Sequence, residues 1–106
     1  SEFDITQKII ESLSNVCTRS VLFSVKNESK DATQIADELK ISLSTVYKTL
    51  STLEDLALAE VDKFIISPEG KKIKLYRSRI GKVEITLDDL EPSLNLYSNT
   101  SNPKSG

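Results

Sequence analysis

The sequence has no histidine, no tryptophan, one cysteine and three glycines in 106 residues. Without an imidazole, the usual general base near neutral pH is missing, and no other catalytic constellation stands in its place. With glycine only at 70, 81 and 106, there is no Gly-rich loop to cradle a phosphate. The expectation is a protein that is not an enzyme. Cys17 has no second cysteine to pair with, which fits a reducing cytosol. One thiol and no imidazole cannot assemble a thiolate or histidine metal site within one subunit. The carboxylates show no metal-loop spacing either, so no metal and no other cofactor is expected. No apolar run approaches the roughly 18 residues of a membrane span, and no signal-peptide pattern is present. A cytoplasmic protein away from the membrane is therefore expected. In such a chain the glycosylation matches Asn27-Glu28-Ser29 and Asn99-Thr100-Ser101 are coincidence.

What is present is a charge pattern hidden by a net charge of −2. Residues 1–39 carry four basic and seven acidic side chains, residues 40–82 nine and five, and residues 83–106 one and four. Positive charge gathers in the middle third, where Lys71, Lys72, Lys74, Arg77, Arg79 and Lys82 form a run free of acids. An acidic chain can still bind nucleic acid when its basic groups share one face.

The chain reads in order as follows. Asp4 to Asn15 is a helix with Asp4 as cap, and Ile5, Ile9, Ile10 and Leu13 share one wide apolar face. Ser1-Glu2-Phe3 reads as a cloning remnant with no place in the fold. Cys17 to Lys26 is a second helix, with Val21, Leu22 and Val25 inward. A dipole-lowered thiol is conceivable for Cys17, but packing as a small hydrophobe is the favoured reading. After a polar break at Asn27–Lys30, Asp31 to Lys40 is a third helix. Either Asp31 or Thr33 can cap it, Asp31 and Gln34 stand at capping-box spacing, and the small Ala36 permits close helix crossing. Ser42 then suits the N-cap of a fourth helix to Leu56, with Val46, Leu50 and Leu53 as its inward stripe. Its other side carries Ser44, Tyr47, Lys48 and Ser51, with no carboxylate ahead of Asp55. Two short helices joined by a tight turn are the helix-turn-helix signature.

After Leu56 the period shortens. Ala59 to Ile66 and Lys72 to Arg79 read as strands, and Ser67-Pro68-Glu69-Gly70-Lys71 as the hairpin tip between them. Val83, Ile85 and Leu87 alternate with polar residues and predict a third short strand, or an extended segment laid on the domain. Asp88 to Tyr97 is ambiguous, because Pro92 falls too late for a helix start. Residues 98–106 read as a disordered tail. The fold expected from residues 4–97 is a single α+β domain, mostly helical, with a small β-hairpin wing on a helix-turn-helix over 31–56.

Several stretches then look familiar. Thr33-Gln34-Ile35-Ala36-Asp37-Glu38-Leu39, Ile41-Ser42, Ser44-Thr45-Val46-Tyr47-Lys48-Thr49-Leu50, Leu53-Glu54 and Leu58 resemble the winged helix-turn-helix of ArsR-like transcriptional regulators. The resemblance covers about residues 17 to 79. It implies a dimeric, DNA-binding regulator of transcription, with the helix at 42–56 in the major groove and the hairpin at 64–75 on phosphate or minor groove. Two departures stand out: such proteins usually have Gly where Lys40 and Ala57 stand, both at helix ends. The resemblance does not extend to metal sensing, for want of ligands.

The expectations that follow are specific. Double-stranded DNA is the partner, contacted by Ser44, Thr45, Tyr47, Lys48 and Ser51 in the major groove and by Lys71, Lys72 and Lys74 on phosphates. Arg77 and Arg79 pair instead with the acidic C-terminal segment. If that segment masks the basic face, deleting Asp88–Gly106 should tighten DNA binding. The α1 face packs either on its own domain or on a second copy; in the second case a homodimer forms through Ile5, Ile9, Ile10 and Leu13, with Leu90, Leu94 and Tyr97 secondary. The rival is a winged helix that binds protein in an assembly. A third reading, a ligand- or redox-responsive regulator, has no ligand named by the sequence.

Overall fold

The computed structural model describes residues 2–101. Four helices, α1 (Glu2–Ser14), α2 (Val16–Ser24), α3 (Ala32–Leu39) and α4 (Leu43–Asp55), precede four strands, β1 (Ala59–Ile66), β2 (Lys72–Ser78), β3 (Ile80–Thr86) and β4 (Ser93–Ser98). β1 pairs antiparallel with β2, and β3 with β4, as two separate sheets. The helix-turn-helix is α3–α4 and the wing is β1–β2, so the chain has the expected α+β, winged-helix-like architecture.

Local chemistry sets the helix ends. Asn15 caps α2 by accepting from the Thr18 amide at 3.1 Å. Asp31 and Gln34 form the capping box: the Gln34 amide donates to Asp31 at 2.8 Å and the Asp31 amide donates to Gln34 Oε1 at 3.0 Å. Ser42 caps α4 by accepting from the Thr45 amide. Each such cap satisfies an amide that the helix itself leaves open. At the far ends, Lys40 and Ala57 both adopt the left-handed conformation, each at φ 58°. After α4 the Ala57 amide donates to the Glu54 carbonyl and the Leu58 amide to the Leu53 carbonyl, both at 2.9 Å. That crossed pair is the bond pattern of a left-handed helix stop.

The core lies between the helices and the base of the wing. Val21, Leu22 and Val25, Ile35, then Val46, Leu50, Leu53 and Leu58 are all essentially inaccessible. Each such side chain contributes roughly 1.5–3 kcal/mol through burial. Tyr76 of β2 and Ile80 of β3 close the core from the strand side. The wing is fastened at its root. Tyr76 exchanges backbone bonds with Lys30 at 3.1 and 2.8 Å, so one residue of the polar break pairs with the outer edge of β2. Opposite, β1 has an irregularity between Val61 and Lys63, where the Asp62 carboxylate accepts from the buried Ser29 hydroxyl at 2.7 Å.

Several expectations are corrected. α1 begins at Glu2, so Asp4 lies inside the helix rather than capping it, and Glu2 and Phe3 belong to the fold. Ile9 and Leu13 are buried in the chain's own core, which removes them from any dimer face. Ile5 is 57% exposed, and Ile10 is half-buried. The expected third strand is β3, but it acquires a partner the sequence left ambiguous. Residues 93–98 are β4, with Val83 opposite Leu96 and Ile85 opposite Leu94. Leu94 packs on the core, and so serves the fold rather than a second copy. The expected disordered tail also begins too early. Ser98 ends β4, and Asn99 donates to the carbonyls of Lys26 and Ser78 at 2.8 and 2.9 Å. Residues 102–106 of that tail lie outside the described residues.

Candidate nucleic-acid interface

Helical geometry divides α4 as the sequence requires. Val46, Leu50 and Leu53 point into the core, while Ser44, Thr45, Tyr47, Lys48 and Ser51 are exposed. Not all of those hydroxyls are at liberty. The Ser42 hydroxyl donates to the Thr45 hydroxyl at 2.8 Å and lies 3.2 Å from that of Ser44. Ser44 and Thr45 therefore belong to a hydroxyl cluster around the cap. Tyr47, 53% exposed, and Lys48 project from the first half of the helix beyond this cluster.

The wing begins with a turn that its residue types dictate. Gly70 sits at φ 83°, a conformation open to glycine at little cost. The Ser67 amide donates to the Lys71 carbonyl at 2.8 Å, and the Ser67 hydroxyl accepts from the Lys71 amide at 3.0 Å. Beyond the turn, Lys72 pairs with Ile66 and Lys74 with Phe64 across the strands. Alternation along β2 puts Lys72, Lys74 and Tyr76 on one face. The Lys72 ammonium stands 4.0 Å from the centre of the Phe64 ring, a cation–π contact that steadies an otherwise mobile side chain.

Tertiary packing brings these elements together. Tyr47 of α4, Lys71, Lys72, Lys74 and Tyr76 of the wing side, and Asp31, Ala32 and Thr33 at the start of α3 line one open cleft of about 510 Å³. Four of the eight residues predicted for DNA contact thus share this surface, while Ser44, Thr45, Lys48 and Ser51 lie on α4 outside its walls. Sequence reasoning missed Thr33, Tyr76 and Phe64. Thr33 carried a signal, because it falls in the first turn of a helix already assigned. Tyr76 and Phe64 carried none beyond strand alternation.

The cleft is basic but not free of acid. Asp31 lines it, with its carboxylate engaged in the capping box. Glu54 lies seven residues after Tyr47 and so shares its side of α4, which corrects the expectation of a face without carboxylates before Asp55. Its charge is felt across the gap: the Tyr76 phenol is raised above its usual value, first by burial, then by Glu54 and Tyr47.

The arginines behave differently from the lysines. Arg77 reaches the C-terminal segment, as expected, but through backbone carbonyls of Asn99 and Ser101 instead of carboxylates. Its Nε is buried without a hydrogen-bond partner. Arg79 is exposed, and its amide donates to the Leu58 carbonyl at 2.8 Å. Asn99 and Ser101 thus sit at the root of the wing, and no described residue of the segment from Asp88 onward lines the lysine cleft of its own chain. No protein-family model matches the chain, and no curated protein matches it.

Proposed function

We propose that this chain is a sequence-specific, double-stranded-DNA-binding regulator of transcription, of the ArsR-like winged-helix kind without metal sensing. The observation that supports this most is the shared cleft. It sets the exposed Tyr47 of a capped, core-anchored helix beside three lysines on a hairpin fastened at its root. In this reading α4 lies in the major groove, where Lys48 meets a guanine edge or a phosphate and Tyr47 a thymine methyl. Lys71, Lys72 and Lys74 neutralise phosphates, which positions the domain without reading sequence.

The test is fluorescence anisotropy with mixed-sequence duplex at several salt concentrations, comparing wild type with a Lys48→Ala, Lys72→Ala, Lys74→Ala variant. Each neutralised phosphate steepens the logarithmic salt dependence by about 0.9, so the variant should have a slope shallower by about 1.8 if Lys48 meets a base and about 2.7 if it meets a phosphate. A folded wild type that fails to bind at low salt sinks the proposal. One feature favours the rival reading, a module that binds protein. The tip of the β3–β4 hairpin presents Leu87 and Leu90, 75% and 92% exposed, among acids, a surface with no use on DNA.

A further inference from the structure

The two hairpins of this chain are opposites in charge and alike in exposed apolar surface. The wing carries Phe64 and Ile66, 48% and 67% exposed, on the face of Lys72 and Lys74, and Ile65, 42% exposed, on the other face. The β3–β4 tip carries Leu87 and Leu90 among Asp88, Asp89 and Glu91. Within that tip the Asp89 carboxylate accepts from the Leu90 amide at 2.7 Å. Apolar side chains exposed at the end of a two-stranded ribbon are unfavourable in water and mark contact surfaces.

Within one chain the two surfaces are held apart. The wing shares a cleft with α3 and α4, whereas Val83 and Ile85 of β3 border a groove with Leu13 of α1 and Arg19 and Phe23 of α2. The hairpins thus lean on different sides of the helical body, in a molecule 54 Å long and 27 by 24 Å across. Among the described residues, no ion pair joins Asp88, Asp89 or Glu91 to a wing lysine.

We propose that the acidic tip of β3–β4 docks on the wing of a second copy of this chain, the two molecules lying end for end. Charge selects the occupant: residues 40–82 carry nine basic against five acidic groups, and residues 83–106 one against four. Turning one copy about a two-fold axis forms the same contact twice, so the pair closes on itself and does not grow. Leu87 and Leu90 then cover Phe64 and Ile66, which share the face of Lys72 and Lys74, while the acids meet the lysines. Ile9 and Leu13 of α1, buried in the chain's own core, take no part. The docked tip also occupies the lysines assigned above to phosphates, so self-docking and DNA binding exclude one another. This last consequence rests on the DNA reading; the docking does not.

Sedimentation velocity of the full chain at tens of micromolar tests the proposal. At about 0.05 M salt a dimer is expected. At about 1 M salt, where charges are screened beyond roughly 3 Å, association should weaken at least about tenfold. Two charge-reversal variants follow, Asp88→Lys, Asp89→Lys, Glu91→Lys on the tip, and Lys71→Glu, Lys72→Glu, Lys74→Glu on the wing. Each alone should be monomeric with an unchanged helical circular dichroism spectrum, because like charges then face each other. An equimolar mixture should form a heterodimer, since one chain is then basic and the other acidic at both hairpins. A monomeric wild type at low salt, a dimer indifferent to both variants, a mixture that stays monomeric, or open-ended growth would each overturn the proposal. DNA binding is read separately: a wild type that dimerises in this way but ignores duplex DNA retires the DNA reading alone.

Discussion

Replacing Ala57 by Gly should make the domain more stable, although it removes a methyl group and adds nothing. Ala57 follows the last turn of α4 at φ 58° and is exposed. There a Cβ lies too close to the following carbonyl, at a cost of about 1–2 kcal/mol, which glycine escapes. Glycine gives back about 0.4–1 kcal/mol by loosening the unfolded chain. The net gain is about 0.5–1 kcal/mol, with little lost from burial. Lys40 sits at the same φ of 58° at the end of α3 and is also exposed, so Lys40→Gly should gain a similar amount. The 13 residues of α4 stand between the two sites, and at about 1.5 Å per residue they separate them by about 20 Å. At that distance the gains should add to within about 0.5 kcal/mol. Urea denaturation followed by circular dichroism reads this directly: the midpoint rises and the slope stays fixed. Ala57→Val, with a branched carbon at a position hostile to it, should move the midpoint the other way. A double glycine variant no more stable than wild type would refute the claim that these two stops hold strain.

Two further outcomes follow from particular atoms. Asn99→Ala removes both donors to the Lys26 and Ser78 carbonyls and should cost about 1–3 kcal/mol; a thermal melt within 2 °C of wild type would contradict this. The Tyr76 phenol is raised above its usual 10.0, so the folded state holds this proton more tightly than the unfolded chain. The stability it contributes is complete below about pH 10 and is lost as pH climbs through the folded value. Urea midpoints measured from pH 8 to 11 should therefore fall at the alkaline end, and fall less in Tyr76→Phe; equal slopes in both proteins would remove Tyr76 as the cause.

The parts of the fold that local chemistry decides were readable from the sequence. Asp31 with Gln34, Ser42 ahead of Val46, and Pro68 ahead of Gly70 each mark a boundary through bonds made within a few residues. The lysines of the wing were readable for the same reason, because strand alternation alone sets their face. What escaped depends on partners distant in sequence. Lys30 is a single paired residue and leaves no period. Leu90, Leu94 and Tyr97 are spaced like a helix face, and only pairing with Val83 and Ile85 makes the segment a strand. Ile9 and Leu13 looked like a dimer face because nothing in α1 itself says which neighbour will cover it. Lys40 and Ala57 were correctly suspect as residues in glycine positions, and the turn keeps the strained geometry instead of relaxing around them.

The Asn99 clamp also bears on how the protein is made. Its bond to the Lys26 carbonyl joins residues 73 apart in the chain, so it forms only after nearly everything else exists. The helix-turn-helix is complete as sequence at Leu56, and the 43 residues from there to Asn99 take about 2–9 s to synthesise at about 5–20 residues per second. Over that interval the strands that shield Val25 and Leu58 are made one after another behind the finished helices. A chain terminated just before Asn99 would keep the Lys30–Tyr76 pairing at the wing root but lose the tie that joins the end of β4 to the Lys26 and Ser78 carbonyls.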